Sequence, residues 1–199
     1  MDALPIKFPV IALVASAGGL NALTRVLTPL PADLSAAILI VQHISPERPS
    51  SLAHILGQRT ALPVHTAGDG DSLAAGTVLI APAAHHLLVT SEARIGLIES
   101  GEFPPARPSA DLLLVTLAVT CGPRALAVVL TGTGTDAQAG IRAIRHCGGT
   151  VFAQDQISAA YFGMPSAAID TGVVHAVLPL DQIANAIQAH VDALTGHKA

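Results

Sequence analysis

Aromatic and positively charged residues are scarce in this chain. Tryptophan is absent, and only one tyrosine and four phenylalanines occur among 199 residues. Ten lysines and arginines stand against fourteen acidic residues, which gives a formal net charge of −4 at pH 7. Binding to nucleic acid requires a basic surface, and binding to single strands also uses aromatic side chains that stack on the bases. The composition therefore predicts that the protein does not bind RNA or DNA.

Long hydrophobic runs are also missing, although 51% of the residues are hydrophobic. The longest runs, such as Ala36–Val41 and Ala125–Leu130, have the length of a buried strand, whereas a membrane-spanning helix needs about 20 apolar residues. Met1–Lys7 lacks the charged stretch and following apolar run of a signal peptide. The two cysteines, Cys121 and Cys147, are far apart, and we interpret them as buried thiols in a reducing compartment. We therefore predict a cytoplasmic protein that does not insert into membranes.

Strand-like and helix-like segments alternate along most of the chain. Apolar runs predict buried strands at Pro9–Ala15, Ala36–Gln42, Ala125–Thr131 and Thr150–Ala153. Helices are predicted after Gly18–Gly19, near Ser51–Arg59, over Ala110–Thr120 and Ala137–His146, and at the C-terminal end. The apolar face of the first helix is Leu20, Leu23, Leu27 and Leu30, and that of the last is Leu180, Ile183, Ile187, Val191 and Leu194. This alternation predicts one α/β domain over residues 1–199, a doubly wound three-layer sandwich on a mostly parallel sheet.

The segment from Ala61 to Ser100 has a different character. It contains three short apolar runs separated by turn residues, with little helical periodicity: Val78–Ala81, Leu87–Thr90 and Ile95–Ile98. Short strands joined by turns are typical of antiparallel sheets. We therefore predict a hairpin or small meander added to the parallel sheet.

Three of the predicted parallel strands are followed by residues with reactive side chains. Ser16 follows the first strand, His43 follows the second, and Asp136 lies in the glycine-rich loop after the strand Ala125–Thr131. Because ligand sites form beyond the carboxyl ends of such strands, these side chains are expected to converge. A serine hydroxyl, a histidine base and an orienting carboxylate are the components of a nucleophilic triad. Backbone N–H groups near Ala17–Gly19, at the start of a helix, are placed to stabilise an oxyanion.

The same residues taken singly also fit other roles. Ser16 before Gly18–Gly19 is typical of a helix N-cap or a phosphate-binding loop, although the full nucleotide-binding motifs are absent. His43 alone fits a structural histidine, and Asp136 alone fits an N-cap for the helix beginning at Ala137. The residues by themselves leave these alternatives open.

A metal site or a bound cofactor is not predicted. His85 and His86 are adjacent in a predicted strand, so their side chains point to opposite faces and do not readily share one ion. Asp69-Gly70-Asp71 resembles the start of a calcium loop but lacks the remaining ligands. We interpret it as a turn.

Several blocks along the chain resemble one known family. They are Ser16-Ala17-Gly18-Gly19, Gln42-His43, Leu130-Thr131-Gly132-Thr133-Gly134-Thr135-Asp136, Gln154-Asp155, Gly163-Met164-Pro165 and Val177-Leu178-Pro179-Leu180. Ala81-Pro82 with His86-Leu87-Leu88, and Arg107-Pro108-Ser109, add to the match. Together, and in this order, they resemble the catalytic domain of the chemotaxis protein-glutamate methylesterases.

The resemblance implies a mostly parallel doubly wound sheet with an antiparallel hairpin. It implies hydrolysis of glutamate γ-methyl esters, and deamidation of certain glutamines, on the cytoplasmic domains of methyl-accepting chemoreceptors, which would be the partners. By motif, Ser16 is the nucleophile, His43 the general base and Asp136 the orienting carboxylate. Ala17, Gly18 and Thr133 are candidates for the oxyanion and substrate pocket. No metal or cofactor is implied.

The chain departs from the family pattern at a few positions. The family usually has Thr where Ala17 follows the nucleophile, and Met where Thr133 lies between two glycines. It usually has Asn and Gly at the positions of Thr135 and Ala137, which flank the acid. These changes leave two alternatives open: an esterase that acts on a different protein or small ester, and a non-catalytic module that binds receptors.

Most well-known family members carry a phosphoacceptor receiver domain ahead of the catalytic domain. This chain begins within a few residues of its first predicted strand, so we expect no receiver domain within residues 1–199. Acetyl phosphate, a phosphodonor for receiver domains, is therefore expected to leave the esterase activity of this chain unchanged. Initial rates with and without the phosphodonor test this, and a severalfold increase would refute it.

Overall fold

The fold is built on a seven-stranded sheet in a computed structural model that describes residues 6–45, 47, 50–101 and 106–196. The strands in chain order are β1 (Val10–Ala15), β2 (Ala37–Gln42), β3 (Val64–Thr66), β4 (Val78–Ile80), β5 (His85–Val89), β6 (Ile95–Glu99), β7 (Ala125–Val129), β8 (Thr150–Gln154) and β9 (Ala176–Leu178). The main sheet has the order β3-β4-β2-β1-β7-β8-β9, and every pair of neighbours in it is parallel. Strands β5 and β6 form a separate antiparallel hairpin.

Six α-helices connect and cover the strands in the described part of the chain. They are α1 (Gly19–Leu27), α2 (Leu52–Gly57), α3 (Ala110–Cys121), α4 (Gln138–His146), α5 (Gly163–Ile169) and α6 (Leu180–Thr195). A short 3-10 helix, Gly122–Arg124, leads from α3 into β7. None of these helices is long and apolar enough to cross a membrane.

The core lies in two layers, one on each face of the sheet. In β1 every residue is fully buried, and successive side chains alternate between the layers. Residues of α1, α2 and α6 form one layer with the first face, while residues of α3, α4, α5 and the β5–β6 hairpin form the other layer. A strand buried on both faces needs apolar residues throughout, which explains the continuous apolar runs in the sequence. The predicted doubly wound α/β sandwich with an added antiparallel hairpin is confirmed.

Strand β1 lies in the middle of the sheet, where the direction of chain progression changes. From β1 the chain passes to β2 on one side, and later strands β7, β8 and β9 extend the other side. The carboxyl ends of β2, β1 and β7 therefore adjoin at one edge. A crevice forms at such a point because the helices following the two flanking strands lie on opposite faces.

The segment from 61 to 100 contributes strands to both sheets, whereas one antiparallel hairpin or small meander was predicted. Only β5 and β6 form the antiparallel hairpin, whereas β3 and β4 join the parallel sheet, with Val78 opposite Ile38. The run that forms β4 is buried in full, and a short buried run has the same composition in either kind of sheet. Its partner β2 lies far away along the chain, which local periodicity does not reveal. The short elements α5 and β9 were not predicted as a helix and a strand.

Three side chains are less buried than predicted. Leu20 is 40% exposed and Leu194 is 44% exposed, although both fall on predicted apolar faces. Both lie in terminal turns of their helices, where fewer elements remain to cover a side chain. Cys121 is buried, and its burial raises the pKa of the thiol to about 12, but Cys147 at the end of α4 is only half-buried.

Helices α3 and α4 approach closely because α4 carries a glycine at the contact. A Cβ atom on Gly140 would overlap the Leu114 side chain. Gly140→Ala is therefore expected to lower the free energy of unfolding by about 1–3 kcal/mol through overpacking. Gly57→Ala, at the end of α2, is the control, since its Cβ would meet only Val64 at 3.7 Å. Urea unfolding of both variants checks this, and equal stabilities would contradict the close contact.

Candidate active site

A tight turn after β1 positions Ser16 at the edge of the sheet. The Ser16 N–H donates to the Thr131 carbonyl at 3.0 Å, which continues the pairing between β1 and β7. The Gly19 N–H donates to the Ser16 carbonyl at 2.9 Å and closes a four-residue turn. Its third residue, Gly18, has φ +78° and ψ −1°, the values that make a type II turn favour glycine. Helix α1 begins at Gly19, so its N-terminus points toward the site.

The side-chain amide of Gln42 links the residues that follow β1 and β2. Its Nε2 donates to the Ser16 carbonyl at 2.7 Å and to the His43 carbonyl at 3.1 Å. The His43 N–H donates in turn to the Ala15 carbonyl at 3.0 Å. A Cβ atom on Gly19 would overlap the Gln42 Oε1 atom, so glycine at that position leaves room for the amide. Backbone and amide contacts thus fix the spacing between Ser16 and His43.

His43 is held by the carboxylate of Asp136. The His43 Nε2 atom lies 2.8 Å from Asp136 Oδ2, and the two side chains are 16% and 9% exposed. Because an ionised carboxylate only accepts hydrogen bonds, Nε2 is the donor in this contact, and in the neutral form of the ring Nδ1 is the acceptor. No hydrogen bond joins the Ser16 hydroxyl to His43 within the described residues. Catalytic hydrogen bonds are often long in unliganded enzymes and tighten when substrate binds.

The Asp136 carboxylate also sits on the N-terminus of α3. It accepts hydrogen bonds from the Ala110 N–H at 2.6 Å, the Asp111 N–H at 3.1 Å and the Ser109 hydroxyl at 3.3 Å. The N–H of Ala137 donates to it at 3.0 Å. The alternative role of Asp136, as N-cap of the helix that follows it, is wrong in position. Helix α4 begins at Gln138, and the carboxylate instead accepts hydrogen bonds from N–H groups in the first turn of the neighbouring helix α3.

These contacts set the ionisation of Asp136. Burial alone would raise the pKa of the carboxyl group. Hydrogen bonds from His43 and from the backbone of Ala110 and Asp111 outweigh burial, so the pKa of Asp136 is lowered overall. The group is therefore ionised at neutral pH.

A second carboxylate, Asp111, makes the reciprocal contact. It lies in the first turn of α3, and its Oδ1 accepts a hydrogen bond at 2.7 Å from the Gly140 N–H in the first turn of α4. Burial raises the pKa of Asp111, and the negative charge of Asp136 adds to this, while backbone hydrogen bonds oppose it. The Asp136 carboxylate therefore binds the start of α3 and the Asp111 carboxylate binds the start of α4, which fixes the two helices relative to each other.

His86 binds the backbone at the start of helix α3. It is 2% exposed, and its Nδ1 atom accepts a hydrogen bond from the Ser109 N–H at 2.9 Å. Burial lowers the pKa of His86, Asp136 opposes this, and Arg107 adds to it, so the ring is neutral at pH 7. His85, on the opposite face of β5, is half-exposed. No group of three or more metal-ligating side chains occurs in the described part of the chain.

Two cavities meet at Ser16. The first, called here the His43 cavity, has a volume of about 780 Å³, and its lining includes Ser16, His43, Ser109, Asp111, Thr133 and Asp136. The second, called here the Leu52 cavity, has a volume of about 670 Å³, and its lining includes Ser16, Gly18, Leu20, Gln42, Ile44, Leu52 and Ile55. Both volumes lie in the range of about 300–1,000 Å³ that is typical of small-molecule sites.

The structure brings most of the predicted site residues together. Ser16, His43, Asp136 and Thr133 line the His43 cavity, Gly18 lines the Leu52 cavity, and Ala17 lines neither. The backbone N–H groups of Ala17, Gly18 and Thr133 donate to no acceptor in the described residues. Gly18 and Thr133 therefore combine an N–H group that has no protein acceptor among the described residues with a place in the lining of a cavity at Ser16.

Sequence reasoning gave no individual role to Gln42, His86, Ser109 or Asp111. A signal was present for Ser109 and Asp111, since a serine followed by an acid at the start of an apolar helix is typical of an N-terminus. Ser109 does cap α3, accepting a hydrogen bond from the Leu112 N–H. For His86 and Gln42 no local pattern indicates the partner, because each binds backbone from another part of the chain.

Asp136→Asn is expected to lower the free energy of unfolding at pH 7 by about 1–3 kcal/mol. The carboxylate of Asp136 offers two acceptor oxygens to its hydrogen-bond donors, whereas the asparagine amide offers only one. Since folding lowers the pKa of Asp136, its stabilisation is present above the unfolded-chain pKa of about 4. It is lost as the pH falls through the folded-state pKa. Urea unfolding from neutral to acid pH measures the difference. Asp170→Asn, at an exposed site, is the control, and an equal loss there would contradict the assignment.

Comparison with known proteins identifies the family of this chain. Residues 11–187 match the family model described as CheB methylesterase. The chain is 42% identical over 188 residues to protein-glutamate methylesterase FrzG of Myxococcus xanthus, covering 94% of this chain and 56% of that protein. It is 43% identical to a protein-glutamate methylesterase/protein-glutamine glutaminase of Moorella thermoacetica, covering 92% and 44%. The chain thus spans about half the length of these curated relatives.

A solved structure shows the same fold. The crystal structure of the Thermotoga maritima CheB methylesterase catalytic domain matches with a TM-score of 0.88 and 32% sequence identity. The match covers 92% of this chain and 99% of that one. The chain therefore belongs to the CheB methylesterase family.

Proposed function

We propose that this protein is a serine hydrolase that removes methyl groups from glutamate γ-methyl esters on the cytoplasmic domains of chemoreceptors. Convergence of Ser16, His43 and Asp136 on the His43 cavity, in a chain of this family, carries the proposal. Deamidation of glutamine is part of it, because an amide and an ester present the same acyl carbon to the nucleophile. A receptor cytoplasmic domain as substrate places the protein in the cytoplasm.

The first half of the reaction forms an acyl-enzyme. His43 takes the Ser16 proton at Nδ1 while the serine oxygen attacks the ester carbonyl. The Asp136 carboxylate, ionised because its pKa is lowered, stabilises the imidazolium that forms. His43 then gives the proton to the methoxy oxygen, the carbon–oxygen bond breaks, and methanol leaves.

The second half returns the enzyme to its starting state. His43 removes a proton from water, and the resulting nucleophile attacks the acyl-enzyme. The bond to the Ser16 oxygen breaks, and the serine recovers its proton from His43. The products are one glutamate carboxylic acid and one methanol for each water consumed.

Backbone N–H groups are proposed to stabilise the oxyanion of both steps. The N–H groups of Ala17, Gly18 and Thr133 are uncommitted in the described residues and lie around Ser16. The N-terminus of α1 adds a partial positive charge on the same side. A main-chain donor does not depend on the side chain, so Ala17 and Thr133 can serve where the family usually has Thr and Met.

Ser16→Ala is expected to lower kcat for methanol release by several orders of magnitude, because no other group then forms the acyl-enzyme. The substrate is a receptor cytoplasmic fragment methylated on glutamate, and methanol is quantified over time. Ser91→Ala is the control, since Ser91 is an exposed serine that lines neither cavity. Its rate should stay within about twofold of wild type.

The outcomes separate the alternatives. Methanol release at the wild-type rate from Ser16→Ala would remove Ser16 from the mechanism. Absence of release from wild type, with Ser16-dependent hydrolysis of other esters, would favour an esterase with a different substrate. Receptor binding without hydrolysis of any ester would favour a non-catalytic module.

A further inference from the structure

The two cavities that meet at Ser16 differ in their access to the proposed acid–base residue. His43 lines one of them and not the other, although Ser16 lines both. When an ester is cleaved, the alcohol oxygen must receive a proton from His43 as it leaves. The alcohol half of the ester therefore has to lie on the His43 side of Ser16. The acyl half extends away from that side.

The Leu52 cavity offers a suitable surface for an acyl chain. Its walls include the hydrocarbon side chains of Leu20, Ile44, Leu52 and Ile55, and no charged residue is present among its described lining. The His43 cavity, in contrast, contains the carboxylates of Asp111 and Asp136. Methylene groups gain free energy when they leave water for an apolar wall, so they favour the Leu52 cavity.

The exposure of Leu20 shows that part of the apolar surface of this cavity is uncovered. This residue is 40% exposed at the start of α1, next to Gly19 and the Ser16 turn. The unfilled volume of about 670 Å³ exceeds what the two methylenes of a glutamyl side chain occupy. Room remains for an apolar side chain beside the glutamate on the substrate chain, which would also cover Leu20.

We propose that the Leu52 cavity is the acyl-binding site of this enzyme. It holds the methylene chain of the glutamyl group and a neighbouring apolar side chain of the substrate, while the alcohol leaves through the His43 cavity. This inference rests on the proposed function, since it assumes that Ser16 attacks an ester.

The test compares esters that differ only in their acyl chain. Wild-type kcat/KM for 4-nitrophenyl hexanoate is expected to exceed that for 4-nitrophenyl acetate about tenfold or more, since each buried methylene contributes roughly fourfold. Asn21→Trp places a large ring in the Leu52 cavity from an exposed position on α1, so the fold is preserved. The hexanoate-to-acetate ratio should fall at least tenfold in this variant.

Two matched controls make the result specific. Val115→Trp adds the same ring at a 40% exposed position on α3 that lines neither cavity, and its acyl-chain ratio should equal that of wild type. A second series, acetate esters of alcohols of increasing size, should give the same relative rates in Asn21→Trp and wild type. The expected result is therefore a change confined to the acyl series.

Other results would overturn the inference. One is an unchanged acyl-chain ratio in Asn21→Trp, and another is a change in the alcohol series instead. Hydrolysis of every ester with retained dependence on Ser16 but no acyl preference would overturn the inference and leave the proposed function standing. Absence of Ser16-dependent hydrolysis of any ester by wild type, the methylated receptor fragment included, would overturn both.

Discussion

Hydrogen bonding of one carboxylate, that of Asp136, by the N-terminus of α3 holds the site together. Backbone N–H groups at a helix start are fixed donors, and those of Ala110 and Asp111 keep the carboxylate ionised in a place where burial alone would favour its neutral form. Because the carboxylate is oriented by main chain, the imidazole of His43 that it binds is oriented too. Asp111 completes the arrangement by binding the start of α4, so movement of either helix would disturb both acids.

The parallel sheet supplies the second constraint. Residues that follow adjacent parallel strands must lie side by side, and the hydrogen bonds from Ser16 to Thr131 and from His43 to Ala15 simply extend the ladders of β1 with its neighbours. The proposed nucleophile and base therefore stand on the most buried part of the molecule. Gln42 adds a side-chain link between them, and glycine at position 19 provides the space that the link requires.

The two cavities beside Ser16 are lined by different kinds of residue, and this difference matches the two halves of an ester. One side presents carboxylates, an imidazole and a hydroxyl, which suit proton transfer and water. The other side presents hydrocarbon, the uncommitted N–H group of Gly18 and the positive end of α1, which suit an acyl chain and a developing oxyanion. An ester has the same division, because its alcohol half needs a proton and its acyl half does not.

Local sequence indicates the α/β class, the central strands and the candidates Ser16, His43 and Asp136, because buried parallel strands have continuous apolar runs and reactive residues follow them directly. Other features depend on contacts that form only in the folded chain. The placement of β4 beside β2, the contact of Asp136 with α3 and the support of Ser109 by His86 all join segments far apart along the chain. Such partners leave no local periodicity. The exposure of Leu20 belongs here too, since a helical repeat predicts an apolar face but not how far the neighbouring elements cover it.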